Sequence, residues 1–251
     1  MRDRMQRTPF QGVVNVLRFN WHLLAPPLVV GAVTPLAAWM LAPQWLLPAV
    51  AVSGAALAPV LISLAATYWA YDRTGLYDMA WMDTWMQGVR AAANVHAGFD
   101  ETTPLLAQRY GGAAWSCLDF YDPARHSEVS IRRARRAWPP LPETQQVTTR
   151  HLPLEDSELD RVILFLAAHE VRDAQERMAF FAELSRVLAD EGLILMTEHV
   201  RDLPNWLAYA LGALHFHPRK AWLETFARAG WEVRAVHRNN LFIQTFILAK
   251  S

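Results

Sequence analysis

Two short stretches hold most of the reactive side chains of this chain. Ala168-His169-Glu170-Val171-Arg172-Asp173 follows the apolar run 161–167, and Glu198-His199-Val200-Arg201-Asp202 follows the apolar run 193–197. Each sets a histidine beside a glutamate and adds an arginine and an aspartate, a polar density out of keeping with the aliphatic residues before it. A neutral imidazole near pH 7 is a suitable general base for a hydroxyl or a phenol, so His169, Glu170 and His199 are the candidate catalytic residues. The same groups also suit capping of the helices that follow and pairing with each other, and spacing alone does not separate these roles. His215-Phe216-His217 raises metal ligation with His199 or His169, but the sequence fixes no third ligand and no metal is assigned. Cys117 falls in an apolar run and reads as an inert core residue. As the single cysteine, it excludes an internal disulfide and a cysteine-rich zinc site, so nothing asks for an oxidising compartment.

Such residues act only where strands and helices hold them, and from residue 91 onward the periodicity predicts both. The runs 91–97, 114–120, 161–167 and 193–197 read as strands, the last two continuous enough in Val, Ile, Leu and Phe to be buried on both faces. Segment 146–151 is β-rich. Helical spacing marks 102–110, 127–138, 172–188, 204–214 and 219–229, with Pro139-Pro140 stopping the second and Gly192 the third. Strands at 231–237 and 242–248 flank Arg238-Asn239-Asn240-Leu241, a hairpin turn. Strand and helix in alternation, ending in an antiparallel pair, give a doubly wound α/β domain over 89–251.

The first 88 residues have a different character. Among 251 residues 53% are hydrophobic and 19% charged, with 24 basic against 24 acidic, which excludes a disordered chain and argues against a nucleic-acid binder. Between His22 and Asp72 there is no Asp, Glu, Lys or Arg. The stretch divides at Ala42-Pro43-Gln44-Trp45 into 23–41 and 46–71, each near the ~20 apolar residues that a bilayer-crossing helix needs. Trp21, Trp39, Trp45, Tyr68, Trp69 and Tyr71 stand at the ends, where indole and phenol rings favour the headgroup zone. A cleaved signal peptide does not fit, because the first run starts late, is long and leads at once into a second. Arg2, Arg4, Arg7 and Arg18 before the hairpin and Arg73 after it place both termini in the cytoplasm by the positive-inside rule. Residues 76–92 carry Trp81, Met82, Trp85, Met86 and Val89 on one helical face and read either as a helix in the membrane interface or as one packed on the following domain. Arg132, Arg133, Arg135 and Arg136 face anionic headgroups or simply solvent.

Four segments in order give the domain a resemblance. They are Asn94-Val95-His96-Ala97-Gly98-Phe99-Asp100-Glu101-Thr102-Thr103, then Leu118-Asp119-Phe120-Tyr121-Asp122-Pro123, then Leu152-Pro153-Leu154-Glu155-Asp156-Ser157-Glu158-Leu159-Asp160, then Glu183-Leu184-Ser185-Arg186-Val187-Leu188-Ala189-Asp190-Glu191-Gly192. Together they resemble the class I S-adenosylmethionine-dependent methyltransferases over about 91–250. The resemblance implies a Rossmann-like fold with S-adenosylmethionine bound near Asn94, His96, Gly98, Asp100, Asp119 and Phe120. Gly98 would let backbone approach the ligand, and Asp119 would accept hydrogen bonds from the ribose hydroxyls. The chain departs from the family at Asn94, where an acid is usual, and at His96 and Asp100, where glycines are usual. A nicotinamide dinucleotide fold is disfavoured, since His96-Ala97-Gly98-Phe99-Asp100-Glu101 lacks two of its glycines and Asp100-Glu101 repels phosphate.

The expectation is therefore a two-helix transmembrane hairpin carrying a cytoplasmic methyltransferase domain whose acceptor is small and lipophilic and lies among membrane lipid. Two other readings stand beside it. The hairpin docks the enzyme onto a membrane complex with a soluble substrate, or the fold has lost its cofactor and serves as a non-catalytic assembly partner. Oligomeric state is left unassigned.

Overall fold

The computed structural model describes residues 7–126 and 128–251, so Arg2, Arg4 and Ser127 lie outside the described residues. Two helices come first, α1 over Gln11–Leu41 and α2 over Leu46–Thr67. The first is not straight: Asn20, with φ −115° and ψ 15°, breaks it into two arms. The arm before Asn20 buries Gly12, Asn15 and Phe19 against the rest of the molecule, whereas residues 21–41 turn Leu23, Val29, Val33 and Leu36 outward. At ~1.5 Å per residue the second arm is about 32 Å long, the thickness of a bilayer core. Helix α2 presents Leu47, Val50, Leu61 and Ile62 in the same way. The two helices, long and apolar enough to cross a membrane, form a hairpin in which a Cβ on Gly31 would meet Leu57 at 2.5 Å, and the Ser53 hydroxyl donates to the Gly31 carbonyl at 2.5 Å.

The stretch predicted as one helix over 76–92 is instead two short 3-10 turns, Leu76–Asp78 and Ala80–Trp85, parted by Met79 at φ 58°. Its apolar side chains turn inward. Leu76, Met79 and Met82 are buried with Ile163, Leu195 and Ile247 on one face of the sheet, so this connector packs onto the domain. Asp83, bridged to Arg109 at 2.5 Å and accepting from the Tyr110 hydroxyl at 2.8 Å, ties it down from outside.

The sheet has seven strands: β1 Ala91–His96, β2 Ala114–Asp119, β3 Gln145–Gln146, β4 Leu159–Phe165, β5 Leu188–His199, β6 Trp231–Arg238 and β7 Ile243–Lys250. Their order is β3-β2-β1-β4-β5-β7-β6, parallel except for β7, which runs antiparallel between β5 and β6. This is the doubly wound sheet with a closing antiparallel pair that the sequence predicts. Helices α3 Thr103–Arg109, α4 Val129–Ala137, α5 Ala174–Val187, α6 Leu203–Tyr209 and α7 Arg219–Arg228 connect the strands. Fully buried Phe180, Phe181, Trp222, Phe226 and Phe246 fill the other face. The segment predicted as a helix over 204–214 is α6 followed by a 3-10 stretch, Ala210–His215, because Ala210 at φ 47° ends the α-helix.

Candidate active site

In a sheet of this order, ligands lie beyond the carboxyl ends of the central strands, where the connections to either side diverge. A cavity of about 250 Å³ occupies that position. Its floor is made by strand ends and the turns after them, with Ala97 and Phe99 after β1, Leu166, His169 and Glu170 after β4, and His199 at the end of β5. Its roof comes from the two-helix hairpin: Gly12, Asn15, Val16, Phe19 and Asn20 of α1 face into it, with Tyr71 from the far end of the hairpin.

Several contacts clamp this roof. Asp72 accepts from the backbone amides of Gly12 at 2.7 Å and Val13 at 3.2 Å, capping the start of α1. Arg7 bridges Asp72 at 3.3 Å and Glu101 at 2.8 Å and lies over the Tyr77 ring, while the Asn15 amide donates to Glu101 at 3.1 Å. Phe19 meets Phe99 edge to face, and the Arg133 guanidinium of α4 donates to the Phe19 carbonyl at 2.8 Å. Buried carboxylates paired in this way cost much to separate, so the roof is a fixed part of the site.

The three candidate catalytic residues all line this one cavity. His169 is held from behind by Glu198, which accepts from its backbone amide at 3.1 Å and its Nδ1 at 2.7 Å, so Nε2 points to the cavity side, 3.4 Å from Glu170. Burial opposes the charged imidazole, but Glu198 and Glu170 overcome it and raise the His169 pKa to about 10. Glu170 is driven well below the usual carboxylate range against its burial by His169 and His215. His199 is the reverse case. Burial is the chief cause that lowers its pKa to about 3. The Asn205 amide nitrogen is spent on Asp202 and the Phe242 carbonyl, so its oxygen receives His199 Nδ1–H at 2.9 Å, and Nε2 is left to accept from the Tyr71 hydroxyl at 2.7 Å. At neutral pH His169 thus carries its proton already and His199 is a weakly basic ring with both nitrogens engaged. Neither is poised as a free general base.

The residues expected at the cofactor lie around the turn after β1, and none of the six lines the cavity itself. Asn94 donates through Nδ2 to Asp100, Thr102 and Thr103, and Asp100 accepts from the amides of Thr102 and Thr103, both at 2.9 Å. This network replaces the loop glycines with side-chain bonds that shape the turn. His96 lies beneath it, its Nδ1 accepting from the Gly98 amide at 3.3 Å and its Nε2 3.5 Å from Cys117. Gly98 sits at φ 85°, where a Cβ would meet Tyr121 at 2.9 Å. Asp119, fully buried at the end of β2, accepts from the Tyr121 amide at 2.9 Å, and the Arg135 guanidinium of α4 holds its other oxygen. Phe120 packs on Phe180 and His126 in the core.

Sequence reasoning missed Tyr71, Asn15, Glu101 and Phe216, which also line the cavity. In the sequence Tyr71 stands at the edge of an apolar run and reads as part of the aromatic belt. In the structure it turns inward to His199, and its spacing from Trp69 gave the only hint.

A family model described as a methyltransferase domain matches residues 94–196. Among curated proteins no sequence match was found. Among solved structures the chain is similar to an S-adenosylmethionine-dependent methyltransferase from Aquifex aeolicus, with 14% identity, a TM-score of 0.53, and 76% of this chain and 97% of that one covered. It is similar to the PH0226 protein of Pyrococcus horikoshii, with 14% identity, a TM-score of 0.55, and coverage of 72% and 91%. Human N-acetylserotonin methyltransferase in complex with S-adenosylmethionine matches at 14% identity and a TM-score of 0.53 over 96% of this chain and 70% of that one. The family match lies across β1 to β5, and the similarity to these solved structures shows that the domain has the S-adenosylmethionine-dependent methyltransferase fold, which supports S-adenosylmethionine as its cofactor.

Proposed function

We propose that the protein methylates a small lipophilic alcohol or phenol that reaches the cavity from the membrane, with the hairpin spanning the cytoplasmic membrane and both termini on the cytoplasmic side. The observation that carries this reading is the shared wall: the arm of α1 that roofs the cavity continues past Asn20 as the arm whose apolar side chains face outward. An acceptor dissolved in the bilayer is concentrated where the domain is tethered, and the site needs no aqueous route to it.

The residues fit the cofactor once one side chain moves. Asp119 is a buried carboxylate that requires a donor, and Arg135 supplies it here. The Arg135 side chain is partly exposed, comes from a helix and stacks over Tyr121, so it can leave without a change of backbone. His96 turns its Nε2 to Cys117 and its Nδ1 to the Gly98 amide, 3.8 Å from Asp119, and the space beside Gly98 is taken by Tyr121 and by Arg135 itself, the side chain that has to leave. Asp119 would then hold the ribose, with Ala97 and Gly98 against the rest of the ligand. The cofactor brings a methyl group already activated on a sulfonium. The chain itself has to bind and align the acceptor oxygen and manage its proton.

The test is transfer of isotope from methyl-labelled S-adenosylmethionine by the full chain in proteoliposomes made from native lipid extract. Label in an organic-soluble product is expected. Label confined to water-soluble product overturns the lipophilic acceptor, and no binding of S-adenosylhomocysteine at millimolar concentration overturns the enzyme reading in favour of an assembly partner.

A further inference from the structure

The cluster of His169, Glu170 and His215 on the cavity wall has more organisation than acid–base chemistry requires. Glu170 Oε1 is 3.4 Å from His169 Nε2 and 3.5 Å from His215 Nε2. Charge-assisted hydrogen bonds are shorter, about 2.7–2.9 Å. Two ligands each about 2.0–2.2 Å from one ion in tetrahedral geometry stand about 3.3–3.6 Å apart. The three ligand atoms lie within 4.8 Å of one another, so a single ion can reach all of them.

The second nitrogen of each imidazole meets a carboxylate. His169 Nδ1 is 2.7 Å from Glu198, and His215 Nδ1 is 3.0 Å from Glu128. A metal-bound histidine characteristically donates its other N–H to a carboxylate, which fixes the tautomer and aims the free lone pair at the ion. Here two rings from separate loops are fixed in that manner, and both free nitrogens point to the same carboxylate oxygen. Charge agrees with this. Glu170, Glu198 and Glu128 face one guanidinium, that of Arg172, which donates to the His215 carbonyl at 2.5 Å, lies against both ring nitrogens of His215, closest to Nδ1, and reaches Glu128 at 3.5 Å. With both imidazoles neutral, these groups leave two negative charges unmatched, the charge of one divalent cation. Arg172 must slide from the imidazole edge toward Glu128 for the ion to enter, a shift that its exposed side chain permits.

We propose that His169, Glu170 and His215 bind a divalent transition-metal ion whose open position faces the cavity. Imidazole with carboxylate suits zinc, manganese, iron or cobalt in the divalent state, and three protein ligands leave room for a further one. The role of the ion rests on the function proposed above. It takes the acceptor's hydroxyl or phenol oxygen in the open position and lowers its pKa, so that the proton passes to solvent at neutral pH. This supplies what the side chains lack, since His169 Nε2 is taken up by the ion and His199 has both ring nitrogens engaged by Tyr71 and Asn205.

The experiment uses the full chain in detergent, stripped with a chelator and titrated with Co²⁺, read by visible d–d absorption and by metal content. One ion per chain is expected, with affinity falling at least 100-fold in Glu170→Gln and His215→Ala. Glu128→Gln, a conservative change at a half-exposed position, should weaken binding 10- to 100-fold while keeping one ion per chain. No saturable binding below millimolar Co²⁺, or equal affinity in the wild type, His215→Ala and Glu128→Gln, overturns the site. Binding of S-adenosylhomocysteine, measured in parallel, separates the two claims: its presence without Co²⁺ binding removes the metal alone, and Co²⁺ binding without it removes the methyltransferase reading alone.

Discussion

Asp119 has no exposed surface, and its carboxylate already serves the Tyr121 amide and the Arg135 guanidinium, so the ribose hydroxyls must take the place of the arginine. Arg135 is then a competitor for the cofactor. Arg135→Met should bind S-adenosylhomocysteine about tenfold more tightly by calorimetry, whereas Asp119→Ala should lose measurable binding. Weaker binding by Arg135→Met would mean that the guanidinium contacts the ligand instead. His199 carries a second prediction. Its buried imidazole stays neutral to about pH 3, while in the unfolded chain it titrates near 6.5. Between these values only the unfolded state takes up the proton, so acidification below pH 6.5 destabilises the fold, by roughly 1 kcal/mol per pH unit. Melting temperatures in detergent at pH 7 and pH 5 should therefore differ less in His199→Gln than in the wild type. An unchanged difference would place the acid sensitivity elsewhere.

Helix α1 couples the hairpin to the site, because it contributes both the roof of the cavity and, past the kink at Asn20, an arm of the hairpin. Its start has no side-chain cap of its own. Asp72, from the far end of the hairpin, accepts the Gly12 and Val13 amides in place of one. Asp72→Ala removes this cap and leaves Arg7 to Glu101 alone, at a cost of about 1–2 kcal/mol. It should lower the melting temperature and raise hydrogen exchange over residues 11–20 while leaving 23–41 as protected as before. Uniform loss of protection would show that the two arms do not separate at Asn20. The strands and the apolar spans were legible in the sequence because burial on both faces and immersion in lipid each impose an unbroken apolar run. The roof was not. Asn15 and Phe19 sit on an arm without a run of its own, and the partners that bury them, Glu101 and Phe99, are 86 and 80 residues away. The connector after α2 was misread for a related reason. Its aromatic and methionine spacing fits a helix, but the left-handed backbone at Met79, without a glycine, is visible only in the packed chain. At the site itself the sequence brought His169, Glu170 and His199 to one cavity, because loops after buried strands share the carboxyl edge of the sheet. It could not foresee that Glu198 would hold His169 charged, since that depends on which face of β5 each side chain takes.

The whole molecule presents a second apolar surface besides the hairpin. Helix α6 packs against α2 and exposes Leu203, Trp206 and Leu207, and the 3-10 stretch after it exposes Leu211 and Leu214. If the hairpin spans a bilayer as proposed, side chains of this size, clustered beside it rather than scattered singly, suit a face in contact with lipid. The domain would then rest on the bilayer through α6 while hanging from it by the hairpin. Tyr209, at the end of α6, meets His199 edge to face, and Phe216 stacks on His199 at 4.5 Å, so this exposed apolar face and the cavity wall are one continuous block. Nitroxide labels should distinguish this posture from a domain that swings free on its tether. With Cys117 replaced by Ser and a single cysteine introduced at Leu207 or at Gln108, the full chain in liposomes is probed with oxygen, which concentrates in lipid, and with a nickel chelate, which stays in water. The label at Leu207 should be relaxed mainly by oxygen and that at Gln108, exposed on α3, mainly by nickel. Equal nickel accessibility at the two positions would detach α6 from the bilayer. An acceptor would then have to pass through water to reach a cavity whose roof descends from the membrane.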